Sequence, residues 1–303
     1  MPPRGSLLLL AAAFCAQAQE AKFSTDVKVV TLLATVRDRD GHIVRDLTRD
    51  DFDLLEDGRP QTIRYFSQES DLPLKIGLLV DTSRSQIRIL EPERKASYTF
   101  LDQVLQDRDR AFVVHFDIRV SLLQGFTSSR EELGAALTQL RIPKRPSTLL
   151  YDAVRETSEE LMRHETGRKA FIVLSDGVDV HSRNSIVTAI EFAQRADTLI
   201  YSIVFADHVA FSPMVIALNE AYLARGRRAM QRMARETGGE YFKVGWDEPI
   251  EKIYSQIEDE LRHQYSIGYT SDQTESNGKY RKIQLTAKRK SLTVRTRDGY
   301  YPR

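Results

Sequence analysis

Two hydrophobic regimes divide this chain. Over residues 72–262, apolar runs that are nearly continuous alternate with segments of helical period. Leu74-Lys75-Ile76-Gly77-Leu78-Leu79-Val80 is one such run, and 111–116, 169–174 and 199–205 repeat it. A run apolar at nearly every position marks a strand covered on both faces, as in a parallel sheet. The intervening period predicts helices over 92–105, 130–140, 149–163, 185–196, 227–237 and 249–262, a short edge strand over 120–125 and a last strand over 240–244. Ser129 with Glu132 makes a capping box, and Gly238-Gly239 ends a helix. Repeated strand–helix alternation gives an α/β fold, a doubly wound, mostly parallel sheet of Rossmann-like design.

The flanks follow a different rule. Residues 23–70 and 263–303 show two-residue alternation broken by turns at Asp38-Arg39-Asp40-Gly41, Asp57-Gly58 and Ser276-Asn277-Gly278. In the strand expected over 61–66, Ile63 and Tyr65 share one side. Each flank is too short to bury a core alone, but together they make a small β-sandwich. Residues 19–70 carry 11 acids and 8 bases, whereas 279–303 carry 9 bases and one acid. Basic strand faces that complement an acidic partner account for this bias more simply than a polyanion-binding strip. The α/β unit, 72–262, is therefore expected to be inserted in a discontinuous β-module.

Composition narrows the function. The net charge of +1 supplies no global field for nucleic acid or anionic membrane. Arg4, the apolar run 7–14 and Ala16-Gln17-Ala18 have the layout of a secretory signal peptide over residues 1–18. No stretch reaches the roughly 20 apolar residues of a membrane span. Phe14 argues against a lipobox at Cys15, the single cysteine. The expectation is an exported, thiol-free protein, periplasmic or secreted.

Ligands of a doubly wound sheet sit beyond the carboxyl ends of its strands. There the sequence places Asp81-Thr82-Ser83-Arg84-Ser85 after the first strand, Thr148 ahead of the helix opening Leu149-Leu150-Tyr151-Asp152, and Ser175-Asp176-Gly177 after the central strand. Asp81, Ser83, Ser85, Thr148 and Asp176 offer two carboxylates and three hydroxyls. That set suits Mg²⁺, Mn²⁺ or Ca²⁺ rather than softer metals. Asp152 reads as a structural helix residue.

These three motifs, in this order, resemble the von Willebrand factor type A (VWFA) domain with its metal-ion-dependent adhesion site. The Glu236-Thr237-Gly238-Gly239-Glu240-Tyr241 element extends the likeness. Val44, Leu47, Asp51-Phe52, Glu56-Asp57-Gly58 and Gly299-Tyr300-Tyr301-Pro302 resemble an exported VWFA-related family common in Acidobacteria, in which this domain sits within a β-sandwich. Two departures stand out: Pro146-Ser147 where many members have Gly-Gly, and a long connection over 207–226, a lid or a surface helix. The resemblance implies that Ser83 and Ser85 bind the metal directly, Thr148 directly or through water, and the aspartates partly through water. It further implies a divalent cation, Mg²⁺ first, left under-neutralised so that it captures a carboxylate of a protein or peptide partner. A cell-envelope scaffold with incidental metal is the alternative.

An enzyme fits less well. Gly-x-Ser-x-Gly, Walker, His-Glu-x-x-His and dinucleotide motifs are absent. The six histidines lack ligand spacing. His115 reads as a core residue, and only His181, five residues past Asp176, could serve a metal-assisted hydrolase. Asp38-Arg39-Asp40-Gly41 lacks the later ligands of a calcium loop.

Overall fold

The computed structural model describes residues 29–68, 72–205, 213–273 and 278–302. The expected leader over 1–18, the first part of the connection over 207–226 and the turn residues 276–277 lie outside the described residues.

The apolar runs form the centre of one six-stranded sheet. β1 (Val29–Arg37), β2 (Phe52–Glu56), β3 (Arg59–Pro60) and β4 (Ile63–Gln68) come first along the chain, and β5 (Leu74–Asp81) opens the α/β unit. There follow α1 (Leu90–Val104), β6 (Arg110–Phe116), β7 (Val120–Thr127), α2 (Arg130–Leu137), α3 (Leu150–Glu160), β8 (Arg168–Leu174), α4 (Ile186–Arg195), β9 (Thr198–Phe205), α5 (Pro213–Thr237), β10 (Tyr241–Val244) and α6 (Ile250–Arg262). The sheet order is β10-β9-β8-β5-β6-β7, parallel except for the antiparallel edge strand β7. One face packs on α1, α2 and α6 through Phe100, Leu133, Leu137 and Ile257. The other packs on α3, α4 and α5 through Leu150, Val154, Ile190 and Met230. Burial on both faces is why these strands read as continuous apolar runs.

The flanks intertwine. β11 (Tyr265–Thr270), β12 (Arg281–Ala287), β13 (Thr293–Arg295) and β14 (Gly299–Tyr300) complete two antiparallel sheets of order β13-β1-β11-β4 and β14-β12-β2-β3. Leu32, Phe52, Leu54, Tyr265, Ile267 and Leu285 share the core between them. The charge bias resolves into ion pairs: Arg281 with Glu56, Arg289 with Asp46, and Lys288 with Asp53.

Two expectations need correcting. Ile63 is buried while Tyr65 is 59% exposed. Tyr65 pairs with Gly268 and Ile63 with Tyr269, which leaves Arg64 as an extra residue in β4. That bulge rotates the two side chains apart. The second concerns α5, which runs from Pro213 and not from Arg227, so the described part of the long connection is helix.

The two units meet at a buried charge cluster. Arg37 and Arg295 both bond Glu260, whose side chain is fully buried, and Arg295 also bonds Glu240. Burial opposes the Glu260 charge, but Arg295, Glu240 and Arg37 outweigh it and hold that carboxyl below its ordinary value. Burial pushes Glu240 up to about 7, against the pull of Arg295. A folded-state value above the unfolded 4.5 gives stability that is full at low pH and declines as pH rises from 4.5 toward 7. Glu240→Gln should therefore stay within about 1 kcal/mol of wild type at pH 4 and flatten that decline at higher pH. Glu260→Gln, which removes the buried charge shared by Arg37 and Arg295 and leaves them only Glu240, should cost about 3 kcal/mol. Denaturant titrations from pH 4 to 8 measure both.

Candidate functional site

Parallel strands deliver the site residues to one sheet edge. Asp81 is the last residue of β5 and is fully buried. The chain then turns so that the Ser83 amide donates to Asp81 Oδ1 at 2.8 Å, and the Ser83 and Ser85 hydroxyls lie 2.9 Å apart. From the end of β8, Ser175 Oγ donates to Asp81 Oδ2 at 2.6 Å and accepts from the Gly177 amide at 3.0 Å. The Val178 amide donates to Asp176 Oδ1 at 2.9 Å. Asp81, Ser83 and Ser85 thus form one linked set, and Asp176 stands beside it as the chain neighbour of Ser175.

Thr148 is fastened to the β8 loop through backbone. Its amide donates to the Val180 carbonyl at 3.2 Å and its carbonyl accepts from the Val180 amide at 2.8 Å. Ser147 Oγ adds a bond to the Val180 carbonyl at 3.1 Å. The hydroxyl that replaces a glycine here is therefore a fastener between the Thr148 loop and the β8 loop. The next residue, Leu149, donates its amide to the Asp117 carbonyl, while Asp117 Oδ2 accepts from Thr82 Oγ1 at 2.9 Å. Asp117 so ties the loop after β5 to the Thr148 loop. Asp152 is structural: it accepts from the amides of Arg183 and Asn184 and from the Asn184 side chain.

Electrostatically the site is acid-rich and largely buried. Burial, then the Asp176 charge, push Asp81 up to about 7 against the bonds from Ser175 and Ser83. Burial raises Asp176 as well, against the Val178 amide and Ser85. Among the described residues, no lysine, arginine or histidine forms an ion pair with either carboxyl. Burial opposes ionisation of Asp117, yet bonds from His115 and Thr82 prevail and lower it.

Several contributors were not singled out from sequence as site residues. Ser175, fully buried, orients Asp81; it stands inside the Ser-Asp-Gly motif, but its role needs the β5–β8 pairing. His115, read as core, has its Nδ1 3.0 Å from Thr82 Oγ1 beneath the site. Glu93 on α1 is buried, its carboxyl oxygens unpartnered, and burial followed by the Asp81 charge raises it well above the ordinary range. Gly226 of α5 presses on the site loop: a Cβ there would lie 2.5 Å from the Asp176 carbonyl oxygen. His181 Nδ1 lies 3.3 Å from Ser147 Oγ. Asp38, Asp40 and His42 cluster far along the chain from these loops, in a turn where Asp38 Oδ1 accepts from the amides of the other two.

Comparison with known proteins supports the fold. No protein-family model matches the chain, and no curated protein matches it in sequence. Solved structures do. Proximal thread matrix protein 1 from the mussel byssus, described with a zinc-occupied MIDAS (metal-ion-dependent adhesion site) motif, superposes with a TM-score of 0.52 at 14% identity. The match covers 68% of this chain and 49% of the mussel protein, so the chain spans about half of that protein's length. The von Willebrand factor domain of a type V pilus tip protein from Porphyromonas gingivalis matches over 63% of this chain and 94% of its own, at 11% identity and a TM-score of 0.48. BatB from Bacteroides thetaiotaomicron matches over 62% and 97%, at 15% and 0.48. The α/β unit has a VWFA-like fold.

Proposed function

We propose that this chain is an exported binding module in which Asp81, Ser83, Ser85, Thr148 and Asp176 hold a divalent cation, Mg²⁺ ahead of Mn²⁺ or Ca²⁺. When bound, the cation supplies an incompletely neutralised charge that takes up a carboxylate of a protein partner. The reading extends to the organisation of the chain: a leader over 1–18, a β-module over 23–70 and 263–303, and a VWFA domain over 72–262. One observation carries it. Asp81 and Asp176 are buried together among hydroxyls, with no ion-paired lysine, arginine or histidine among the described residues to neutralise them. Two buried like charges without a counter-ion are costly, and an oxygen-only donor set fits a hard cation. The zinc in the mussel protein's MIDAS motif gives precedent for a metal at such a site.

The hydrolase reading lacks such support. His181, the base a metal-assisted hydrolase would use, has its Nδ1 3.3 Å from Ser147 Oγ, a hydroxyl that also donates to the Val180 carbonyl in fastening two loops.

The test is capture of envelope proteins on the immobilised chain in Mg²⁺ and in EDTA. Partners released by chelation and regained with Mg²⁺ support the clasp. Partners retained in EDTA favour the envelope scaffold and defeat the metal reading.

A further inference from the structure

The loops that surround the site carry an excess of positive charge. Segments 82–89, 117–119, 141–149 and 176–185 contain seven lysines and arginines but three acids, Asp117, Asp176 and Asp179. Asp117 and Asp176 are buried, and Asp179 is half-buried and occupied by bonds from Ser182 and the Tyr151 amide. The bases instead face outward. Arg84 and Arg88 follow β5, Arg119 follows β6, Arg145 precedes Thr148, and Arg183 lies in the β8 loop, all exposed. Arg225 of α5 joins them, because its neighbour Gly226 packs against the backbone of Asp176 and Gly177.

None of these six arginines forms an ion pair among the described residues. Elsewhere on the surface, many exposed arginines meet acids, such as Arg45 with Asp259, Arg130 with Asp102, Arg163 with Glu159 and Arg289 with Asp46, while Arg39, Arg64 and Arg228 form no ion pair among the described residues but stand apart from one another in the chain. Large apolar side chains are set into the same rim. Ile87 is 64% exposed, Ile118 46% and Tyr222 49%. The Thr82 bonds to Phe116 and Asp117 hold the loops of Ile87 and Ile118 side by side.

We infer that this rim is a docking surface for a protein segment in which several carboxylates alternate with bulky apolar side chains. The inference rests on the proposed metal clasp only for the anchoring carboxylate; the rim supplies the rest of the specificity. Unpaired guanidinium groups around an acid-rich centre attract and orient an anionic segment. A phosphate or sulfate polymer would use the charges but leave Ile87, Ile118 and Tyr222 against water. An acidic, apolar peptide uses both. The rim would reject a partner offering one carboxylate on a basic or neutral background.

Fluorescence anisotropy with the full chain tests this. The probes are a short labelled peptide in which aspartate alternates with leucine, the same peptide with serine for leucine, a neutral peptide with one aspartate, and inorganic polyphosphate. The aspartate–leucine peptide should bind tightest in Mg²⁺. The triple variant Arg84→Ala, Arg119→Ala, Arg183→Ala should weaken it about tenfold or more, while Mn²⁺ affinity by calorimetry stays at least as high as in wild type. Loss of the leucines should cost about tenfold. Equal binding by the triple variant, or equal binding of the single-aspartate peptide, overturns the inference. Polyphosphate binding as tightly as the aspartate–leucine peptide also overturns it, in favour of a general polyanion surface. The two readings separate cleanly: arginine-dependent binding that persists in EDTA upholds the rim and sinks the clasp. Binding abolished by EDTA but untouched by the triple variant upholds the clasp and sinks the rim.

Discussion

Asp81→Asn is expected to lose Mg²⁺ and Mn²⁺ binding by at least a hundredfold, about 3 kcal/mol, and to be more heat-stable than wild type in EDTA. Both effects have one origin. Asp81 is buried beside Asp176, and without a cation the pair must be partly protonated or repel. Asparagine keeps a carbonyl oxygen for the Ser83 amide or the Ser175 hydroxyl, so the loop retains its shape while the negative charge goes. A substitution that merely damaged the fold would lower stability and affinity together. Isothermal calorimetry with Mn²⁺ and thermal melts with and without chelator separate the cases. Unchanged affinity would remove Asp81 from the metal site.

The second large effect is expected at a crossing of backbones. Gly177 adopts φ +79°, and a Cβ there would meet the Gly226 carbonyl oxygen at 2.4 Å. A Cβ on Gly226 would in turn meet the Asp176 carbonyl oxygen at 2.5 Å. In an open helix interior, glycine to alanine is stabilising by up to about 1 kcal/mol. Here overpacking, typically about 1–3 kcal/mol, outweighs that gain because the obstructing atoms are main chain and cannot rotate away. Gly226→Ala should lower stability by about 2 kcal/mol and weaken Mn²⁺ binding, since α5 can retreat only by releasing the Asp176 loop. Gly177→Ala adds the cost of its left-handed backbone. Gly125→Ala in β7, where a Cβ meets nothing within 4 Å, is the neutral control. Denaturant midpoints rank the three; a stabilised Gly226→Ala would show that the crossing does not constrain the site.

Much of this architecture was legible because its determinants are local. Strands β5, β8 and β9 advertise two-sided burial in their composition, and Ser129 and Ser185 accept the amides of Glu132 and Thr188, as N-caps do. The site aspartates could be placed because the fold rule assigns chemistry to strand ends. What escaped depends on non-local geometry. The bulge at Arg64 arises from pairing with Gly268 and Tyr269, some two hundred residues away, and the local alternation of β4 gives no sign of it. Residues 207–226 were legible only as a lid or a surface helix, and the described part, from Pro213, continues directly into the helix expected from Arg227. Ser175, Asp117 and Gly226 gain their roles from loops that meet only once the sheet has formed. The outward arginines were visible as letters, but their lack of acidic neighbours is a property of the assembled surface.

The interleaving of the terminal strands has a consequence for biosynthesis. β1, β2 and β4 find their partners in β11, β12 and β13, which leave the ribosome after the whole α/β unit. Until then the amino-terminal strands present open edges, the form in which chains most readily stick to one another. Closing so long a loop is slow compared with completing the α/β unit, whose strands mostly join near neighbours. The α/β unit should therefore fold first and act as a scaffold that brings Gln68 and Tyr265 together. A chaperone that shields residues 29–68 during this interval would raise the yield of native protein more than one that acts after release.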